Sequence, residues 1–371
     1  MSIVEICIGD FGEVITGNTP PKKNPEYYGS EYKFIKPTDM VIDQRFTFIT
    51  EEHYSKLAFE KYKNSLIAPY STCVVTIGSI GKKMTMTNEE CFVNQAVNAV
   101  VPNKDLYDPY YVFYSLKNIL AIVKSADTGA SSGRENVSKS NFTSLRLKIN
   151  DDINIQHKIA SILSAYDDLI ENNLRRIELL EESARNIYKE WFVNFHFPGY
   201  EASKFVDGLP EGWEKINLFE LAEVKYGYPF KGKDFNEDGD GMPIVRIRDI
   251  PKQQLRFYTT QIAEQKFIIK RGDLLVGMDG EFHINNWANK EAYLVQRVCR
   301  IRPNNYIYNG YLSQAIIEPI KFFEQTLTGA TVSHLGDKHL RTIDIVVPDA
   351  KSLSNLVIFN QLFRLKSNIN R

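Results

Sequence analysis

The second half of this 371-residue chain repeats the first, segment by segment. Five short segments recur in the same order: EVITG at 13–17 as EVKYG at 223–227, FIKPTDM at 34–40 as IVRIRDI at 244–250, VVTIGSIGK at 74–82 as LLVGMDGEF at 274–282, NQAVNAVVP at 94–102 as VQRVCRIRP at 295–303, and TGA at 128–130 as TGA at 328–330. The offset drifts only from 210 to 200 residues. This ordered series indicates an internal duplication, and copies of roughly 140 residues have the size of domains rather than of solenoid repeats.

Each copy combines the sequence patterns of strands and helices. Runs rich in β-branched residues and bounded by Gly, Pro or Asn predict strands at 73–77, 97–101, 145–149 and 343–347. Apolar and aromatic residues at helical spacing predict helices at 109–124 and 309–325. Strands followed by a helix, a glycine-containing loop and a last strand are typical of a compact domain. The sequence therefore predicts an α+β fold with two tandemly repeated globular domains.

A long helical pattern connects the two copies. Between Ile159 and Trp191, apolar residues recur at steps of mostly three and four, without Gly or Pro. Asp151 or Asp152 can cap the start. We predict a helix of about forty residues, roughly 60 Å long.

The C-terminal tail repeats this pattern after Pro348, with apolar steps at Leu353, Leu356, Phe359 and Phe363. A long helix with an apolar stripe needs a partner to cover it, so the two helices are predicted to form an antiparallel coiled coil. The alternative is that the stripe packs only on its own domains.

These patterns divide the chain into four regions. The predicted boundaries are 1–150 for the first globular domain, 151–197 for the central helical region, 198–348 for the second globular domain and 349–371 for the short C-terminal helix.

Charge and cysteine usage limit the function classes. The net charge is −1, and residues 151–195 carry nine acidic and five basic side chains, so the rest of the chain sums to +3 and any basic surface is local. The four cysteines form no CxxC pair and no metal-ligand spacing, and we expect reduced thiols. No leader pattern and no apolar run of about 18 residues is present, so a soluble, cytoplasmic protein is expected.

Three motifs resemble one protein family. They are TGNTPPKKNPEYYGSEYKFIKPTDM at 16–40, KYGYPFKGKDF followed by PIVRIRDI and RGDLLVGMDG at 225–280, and the connector QHKIASILSAYDDLIENNLRRIELLEESARNIYKEWFVNF at 156–195. Together they resemble the DNA specificity (S) subunit of Type I restriction-modification systems, over the whole chain. The chain departs from the family at Tyr28, where Trp is usual, and at Thr72-Cys73, which align with Gly272-Asp273 of the second copy.

The resemblance implies two target-recognition domains that alternate with two conserved helical regions. Each domain would read one half of an asymmetric bipartite DNA site, and the helices would set the spacing and dock two methyltransferase (M) subunits. Restriction (R) subunits would join for cleavage. The resemblance implies a non-catalytic subunit that binds no cofactor itself, with S-adenosylmethionine, ATP and Mg expected on the partner subunits.

Candidate DNA-binding residues are short polar and basic side chains on loops, because these offer hydrogen bonds to base edges and charge to phosphates. In the first copy they are Lys22, Lys23, Lys82, Lys83, Ser131, Ser132, Arg134, Asn136 and Lys139. In the second copy the corresponding loop supplies Thr331, Ser333, His334, Lys338, His339 and Arg341, and Arg246 and Arg248 are added from the predicted IVRIRDI strand. On the connector, the candidate partner-binding residues are Arg175, Arg176, Trp191 and Phe192.

Other sequence features favour structural roles. Gln95 and Gln296 occupy matched positions that we place inside strands, as structural hydrogen-bonding residues more than as base readers. His334 and His339 lie in no HExxH motif or triad pattern, and TIGSIGKK at 76–83 lacks the glycine and hydroxyl positions of a phosphate-binding loop.

Two other functions remain open at this stage. One is a free-standing regulator with two DNA-binding domains. The near-zero net charge is weak evidence against it, because neutralisation of DNA phosphates dominates the affinity of a protein that binds DNA without partners. The other is a coiled-coil scaffold that does not bind DNA. The local basic loops are evidence against this alternative.

Overall fold

The computed structural model describes residues 3–42, 44–126, 135–327, 333–349 and 355–369. It divides into two compact units, unit 1 at Met1–Asn172 and unit 2 at Asn173–Arg371. Each unit mixes helices with small sheets, as the predicted α+β class requires.

Unit 1 is built from short strands and helices around a long C-terminal helix. Its strands are β1 Ile3–Cys7, β2 Gly12–Thr16, β3 Tyr28–Ile35, β4 Glu52–Tyr54, β5 Thr72–Val75, β6 Met84–Met86, β7 Cys91–Val93, β8 Val97–Pro102 and β9 Arg146–Asn150. Its helices are α1 Lys56–Tyr62, α2 Pro109–Asn118, α3 Leu120–Val123, α4 Lys139–Ser144 and the first part of α5 Ile153–Tyr188.

The central sheet of unit 1 is antiparallel, in the order β2-β8-β5-β6. A second sheet, β4-β3-β7, and the pair β1-β9 complete the unit. β-branched residues are frequent in β5 and β8, which are buried along almost their full length. One face of the sheet covers the core residues Val14, Val74 and Val100 together with α2.

Unit 2 repeats this arrangement. Its strands are β10 Phe205–Val206, β11 Leu209–Pro210, β12 Glu214–Asn217, β13 Ala222–Tyr226, β14 Phe235–Asn236, β15 Met242–Val245, β16 Tyr258–Thr259, β17 Ile268–Ile269, β18 Leu274–Gly277, β19 Ile284–Asn286, β20 Ala292–Leu294, β21 Val298–Pro303 and β22 Asp344–Val347. Its helices are the end of α5, α6 Leu218–Leu221, α7 Asp249–Lys252, α8 Asn309–Ala315, α9 Ile317–Thr326, α10 Asp337–Leu340 and α11 Val357–Ile369.

The sheets of unit 2 have counterparts in unit 1. The order β13-β21-β18-β19 matches the central sheet of unit 1, and the antiparallel pair β12-β22 matches β1-β9. A five-stranded sheet, β14-β16-β15-β20-β17, stands where unit 1 has three strands.

Strand register fixes which residues correspond, and it corrects one alignment. Val14, Val100 and Thr72 face one another across the sheet of unit 1, as Val224, Ile301 and Leu274 do in unit 2. Thr72 therefore corresponds to Leu274, two residues from the pairing that the sequence alignment gave.

The shift also changes which residues of unit 1 correspond to the Gly272-Asp273 turn of unit 2. Gly272 corresponds to Tyr70, since the N–H of each donates to an equivalent carbonyl, of Trp287 in one unit and of Thr87 in the other, both at 2.7 Å. Gly272 and Tyr70 both have positive φ, 95° and 66°. The turn that Thr72-Cys73 seemed to lack is therefore present in unit 1, with a tyrosine in the left-handed conformation.

The predicted connector helix is confirmed as α5, which begins behind Asp152 and continues into a π-helical turn at Lys189–Val193. The Asp152 carboxylate accepts from the N–H of Asn154 at 2.9 Å, as a capping residue does. The helix runs 36 residues without a break.

The predicted antiparallel pairing with the C-terminal helix is confirmed inside unit 2. Phe359, near the start of α11, packs on Phe192 with ring centroids 5.9 Å apart, and Lys366, near its end, pairs with Glu181 at 2.5 Å. The earlier residues of the apolar stripe are not covered as predicted. Ile162, Tyr166, Leu169 and Ile170 are more than half exposed in unit 1.

Each unit holds its part of α5 in a different way. In unit 1 the buried Arg45 guanidinium bonds to Asp168 and, at 3.2 Å, to Glu171. The Tyr114 hydroxyl donates to Asp167 at 2.8 Å. In unit 2 the attachment is aromatic, with Phe192 packed against Tyr311 at 4.7 Å between ring centroids.

No helix in the described part of the chain is both long and apolar enough to cross a membrane.

Candidate nucleic-acid interface

Three loops meet at one edge of the central sheet in unit 1. They are residues 76–82 after β5, 94–96 between β7 and β8, and 135–137 before α4. Backbone hydrogen bonds join them: the Thr76 N–H donates to Ala96, the Gly78 N–H to Glu135 and the Val137 N–H to Thr76, at 2.8, 3.1 and 2.9 Å. We refer to these loops as loop cluster 1.

Unit 2 carries an equivalent set, loop cluster 2, at residues 278–283, 295–297 and 333–335. The same three backbone bonds recur: the Met278 N–H donates to Arg297, the Gly280 N–H to Ser333 and the Leu335 N–H to Met278, at 2.8, 3.0 and 2.8 Å. Loops carried on a rigid sheet edge are a common location for binding residues. The shared bonds mean that the two clusters can be compared residue by residue.

The side chains on this shared framework differ between the clusters. Cluster 2 has Asp279, Arg297 and His334 at the positions that cluster 1 fills with Ile77, Ala96 and Asn136.

Asp279 is the centre of the polar group in cluster 2. Its carboxylate accepts from His334 Nδ1 at 2.6 Å and pairs with Arg297 Nε at 3.2 Å. The 2.6 Å contact requires the proton on Nδ1, so that atom is not also the acceptor of the 3.3 Å contact from Arg297 Nη1. A carboxylate that fixes two basic side chains prepares them to bind an anion or a base edge.

Arg297 also has an unusual backbone. Its φ is 74°, in the left-handed region that residues with a side chain rarely adopt. Its side chain is half exposed. Strain of this kind in an exposed turn is frequently associated with function.

The two matched glutamines lie in turns, not inside strands as predicted. Gln95 follows β7 and Gln296 follows β20, each at the exposed tip of the turn that leads into the next strand. Neither side chain hydrogen-bonds to another described residue. The predicted structural hydrogen-bonding role is therefore wrong.

Glycine is required beside both turns because the neighbouring strand end approaches too closely for a side chain. A Cβ atom on Gly17 would lie 2.1 Å from the Val93 carbonyl oxygen, and one on Gly227 would lie 2.1 Å from that of Val295. The N–H of Gly17 donates to Val97, and the N–H of Gly227 donates to Val298. Each glutamine turn is thus fixed by the close approach of a glycine to the strand end before it and by a hydrogen bond from that glycine to the strand after it.

The predicted DNA-binding residues of unit 1 fall into three groups. Lys82, Asn136 and Lys139 are exposed on or next to loop cluster 1, and Lys22 and Lys23 are exposed on the segment between β2 and β3. Lys83 is held by the unit itself, since its ammonium group donates to the Pro37 carbonyl at 2.7 Å. Three residues, Ser131, Ser132 and Arg134, lie outside the described residues.

In unit 2 the predicted set is also divided. Arg248 and Lys338 are exposed, and Ser333 and His334 belong to loop cluster 2. Thr331 lies outside the described residues.

The remaining predicted residues of unit 2 have partners within the unit. Arg246 pairs with Asp249 at 3.0 Å and lies 3.8 Å from the centre of the Phe257 ring, which gives it a structural role. Arg341 pairs with Asp337 at 2.6 Å and remains exposed. The hydrogen bond from Tyr226 lowers the pKa of the Asp337 carboxyl most, and the hydrogen bond from Arg341 lowers it further.

His339 is held neutral by its surroundings. Its Nδ1 accepts from the Gly336 N–H at 3.0 Å. Burial, with smaller contributions from Lys338 and His334, lowers the pKa of His339. It therefore acts as a hydrogen-bond acceptor in its loop.

The predicted partner-binding residues are only partly accessible. Arg175 and Arg176 are exposed, and Arg175 pairs with Glu178. Trp191 is half-buried, whereas Phe192 is 4% exposed within the core of unit 2. The prediction that Phe192 is an apolar anchor for a partner is therefore wrong, because its ring is already enclosed by its own unit.

No cluster of three potential metal ligands occurs among the residues described. Burial raises the pKa of the Cys91 and Cys299 thiols to about 12, which keeps both in the unreactive thiol form.

A model of the family described as "Type I restriction modification DNA specificity domain" matches residues 2–182 and 210–370. The two matches correspond to the two copies and together cover most of the chain. The chain belongs to this family.

Curated members of the specificity family are similar over parts of their length. The MjaIX specificity subunit of Methanocaldococcus jannaschii is 27% identical over 263 residues, or 66% of this chain and 57% of that protein. The EcoBI specificity subunit of Escherichia coli is 32% identical over 142 residues, or 38% of this chain and 30% of that protein. The matches thus cover just over half of the first relative and less than a third of the second.

A solved structure supports the fold. The S subunit of a Type I restriction-modification system from M. genitalium superposes with a TM-score of 0.64 over 99% of this chain and 90% of that chain, at 14% identity.

Sequence reasoning missed two members of loop cluster 2, Asp279 and Arg297. Asp279 precedes Arg297 by 18 residues, and Arg297 precedes His334 by 37 residues. The available signal was a basic residue, Arg297, directly after the matched Gln296, where the first copy has Ala96.

Proposed function

We propose that this chain is the DNA specificity subunit of a Type I restriction-modification complex, with each unit reading one part of an asymmetric bipartite site. The observation that carries the proposal is the pair of loop clusters, which share one backbone framework and differ in their side chains. Equivalent loops on duplicated domains suit two similar tasks, and different side chains suit two different base sequences.

The local placement of charge supports DNA as the ligand. Lys82 and Lys139 are exposed on or beside cluster 1, Lys22 and Lys23 are exposed on the segment between β2 and β3, and Arg248, Arg297 and Lys338 are exposed or half exposed in unit 2. Basic side chains beside base-reading loops would position the protein on phosphates. The net charge of −1 argues mildly against strong unaided binding and so favours action within a complex.

The exposed stripe on α5 supports docking of partners. Ile162, Tyr166, Leu169 and Ile170 form a continuous apolar face in unit 1, of the kind that marks protein interaction sites. In the proposed complex, two methyltransferase (M) subunits dock on the helical regions, and R subunits join for cleavage. S-adenosylmethionine, ATP and Mg would be bound by those partners, and this chain would supply selection without catalysis.

The proposal is tested by mapping DNA methylation in a host that carries this chain and its M subunits, against a host that lacks only this chain. We expect a two-part methylated motif, with unread bases between the parts, that disappears on deletion. An unchanged methylation pattern in a host with an active M subunit would overturn the proposal. Tight site-specific binding by the chain alone would favour the free-standing regulator instead.

A further inference from the structure

The glutamines Gln95 and Gln296 are the shared feature of two otherwise different loop clusters. Apart from Gly78 and Gly280, they are the one pair of equivalent described residues that is identical in both clusters. The residues on either side of the glutamine differ between the units: they are Asn94 and Ala96 in unit 1, and Val295 and Arg297 in unit 2. A side chain that stays the same while its surroundings change is expected to perform the same task in both units.

That task is not internal to the fold. Both side chains are exposed, and neither amide hydrogen-bonds to another residue in the described ranges. The backbone of each turn, in contrast, is held by hydrogen bonds. In unit 2 the N–H of Gln296 donates to the Tyr228 carbonyl at 2.9 Å. In unit 1 the N–H of Ala96, the residue after Gln95, donates to the Asn94 side chain at 2.8 Å. A free amide on a fixed turn is available to an external ligand at little ordering cost.

The chemistry of the amide selects the ligand. A glutamine side chain offers one acceptor oxygen and an NH₂ donor on the same planar group. Adenine presents the complementary pair, its N7 acceptor and N6 donor, on its major-groove edge, and bidentate pairing with Gln or Asn is the standard direct readout of this base. Guanine offers two acceptors there, and cytosine offers only a donor at N4.

We propose that Gln95 and Gln296 make the same contact in the two parts of the site, each reading one adenine through its major-groove edge. Each part of the DNA site then contains an A·T pair at the equivalent position, and the differing side chains of the clusters determine the surrounding bases. The inference rests on the proposed function and adds specific base-reading residues to it.

The test is a selection from a random-sequence duplex library by the chain assembled with its M subunits, followed by sequencing. The chains compared are the wild type, Gln95→Ala, Gln296→Ala and a control, Gln265→Ala, which removes an exposed glutamine from another loop of unit 2. We expect an adenine in each part for the wild type and the control. Each cluster variant should lose about tenfold or more of the preference at one position, in its own part only.

A second pair of variants excludes misfolding as the cause. Gln95→Glu and Gln296→Glu keep the side-chain length but leave only acceptors, which suit the N4 donor of cytosine. We expect the preference at the affected position to change from adenine to cytosine, and a chain that selects a new base is folded.

The failures of the two proposals differ. If the wild type selects no sequence at all, the proposed function fails. If the wild type selects a two-part site that the alanine and glutamate variants leave unchanged, or that they weaken uniformly for every sequence, then the glutamines do not read bases and this inference alone is overturned.

Discussion

Unit 1 and unit 2 share the backbone of the central sheet and its loop cluster but attach different side chains to it. Unit 1 holds α5 through Arg45 and its carboxylate partners, whereas unit 2 holds it through packed aromatic rings. The loop clusters differ in the same manner, since cluster 1 has Ile77 where cluster 2 has Asp279. The side chains have thus diverged while the shared backbone bonds have been kept, and each difference can be tested in its own unit.

The largest expected effect is on the aromatic attachment of unit 2. Phe192→Ala empties a site enclosed by Tyr188, Trp213, Tyr311 and Phe359, and should reduce the free energy of unfolding by about 3–5 kcal/mol. Chemical denaturation measures this loss. The neighbouring Val193→Ala is the control, because Val193 is exposed and little packing is lost. Equal effects of the two changes would contradict a buried attachment.

The polar attachment of unit 1 should be weaker and should depend on pH. Arg45→Ala removes a guanidinium that is 3% exposed, and we expect a loss of about 2 kcal/mol, since the partner Asp168 is largely exposed. Arg256→Ala, which breaks an exposed pair with Glu237, is the control and should have a small effect.

The direction of the pH dependence follows from Glu171. Burial raises the pKa of Glu171, and Arg45 opposes that effect. Removing Arg45 raises the pKa of Glu171 further, so the folded variant binds more protons than the unfolded chain over a wider acidic range. The stability of the variant then rises as the pH falls toward the range in which Glu171 binds a proton, and its deficit relative to wild type should shrink in the same direction. A deficit independent of pH would contradict the assignment.

Arg297 tests the difference between the loop clusters. Arg297→Ala removes the half-exposed base that Asp279 orients, and should reduce the preference for one base in the second part of the site by about tenfold. Sequencing of DNA selected by the assembled complex measures this preference. Arg256→Ala serves as the matched control, and a change in the first part of the site would contradict separate reading.

The smallest expected effect concerns phosphate contacts. Replacing Lys22 and Lys23 by alanine should weaken binding of the complex similarly for all sequences. The slope of log affinity against log salt should decrease by about two, one for each lost phosphate contact. Titrations at several salt concentrations measure it. A change of base preference without a change of slope would instead identify these residues as base readers.

Much of the fold could be predicted because it depends on local pattern. The stripe from Ile159 to Trp191 predicted α5, and the β-branched runs predicted β8 and β22. The alignment of residues 74–82 was shifted by two because β-strand register is decided by partners across the sheet, such as Val100, and not by similarity along the chain.

The site was less accessible to prediction. Folding brings together three residues from separate loops, Asp279, Arg297 and His334. No local sequence motif therefore predicts this group. Gln95 was placed in a strand because Val97 and the residues after it read as one, and the turn before them has no glycine or proline to mark it. Phe192 was expected on a surface because its enclosure by Tyr311 and Phe359 cannot be read from the helix alone.

The central claim is that each unit reads its own part of the DNA site with its own loop cluster. The most direct measurement is a library selection with a triple variant, Asp279→Ile, Arg297→Ala and His334→Asn, which gives cluster 2 the side chains of cluster 1 at these three positions. We predict that the second part of the selected site changes while the first part and the spacing stay the same. A change in both parts, or in neither, would contradict the account.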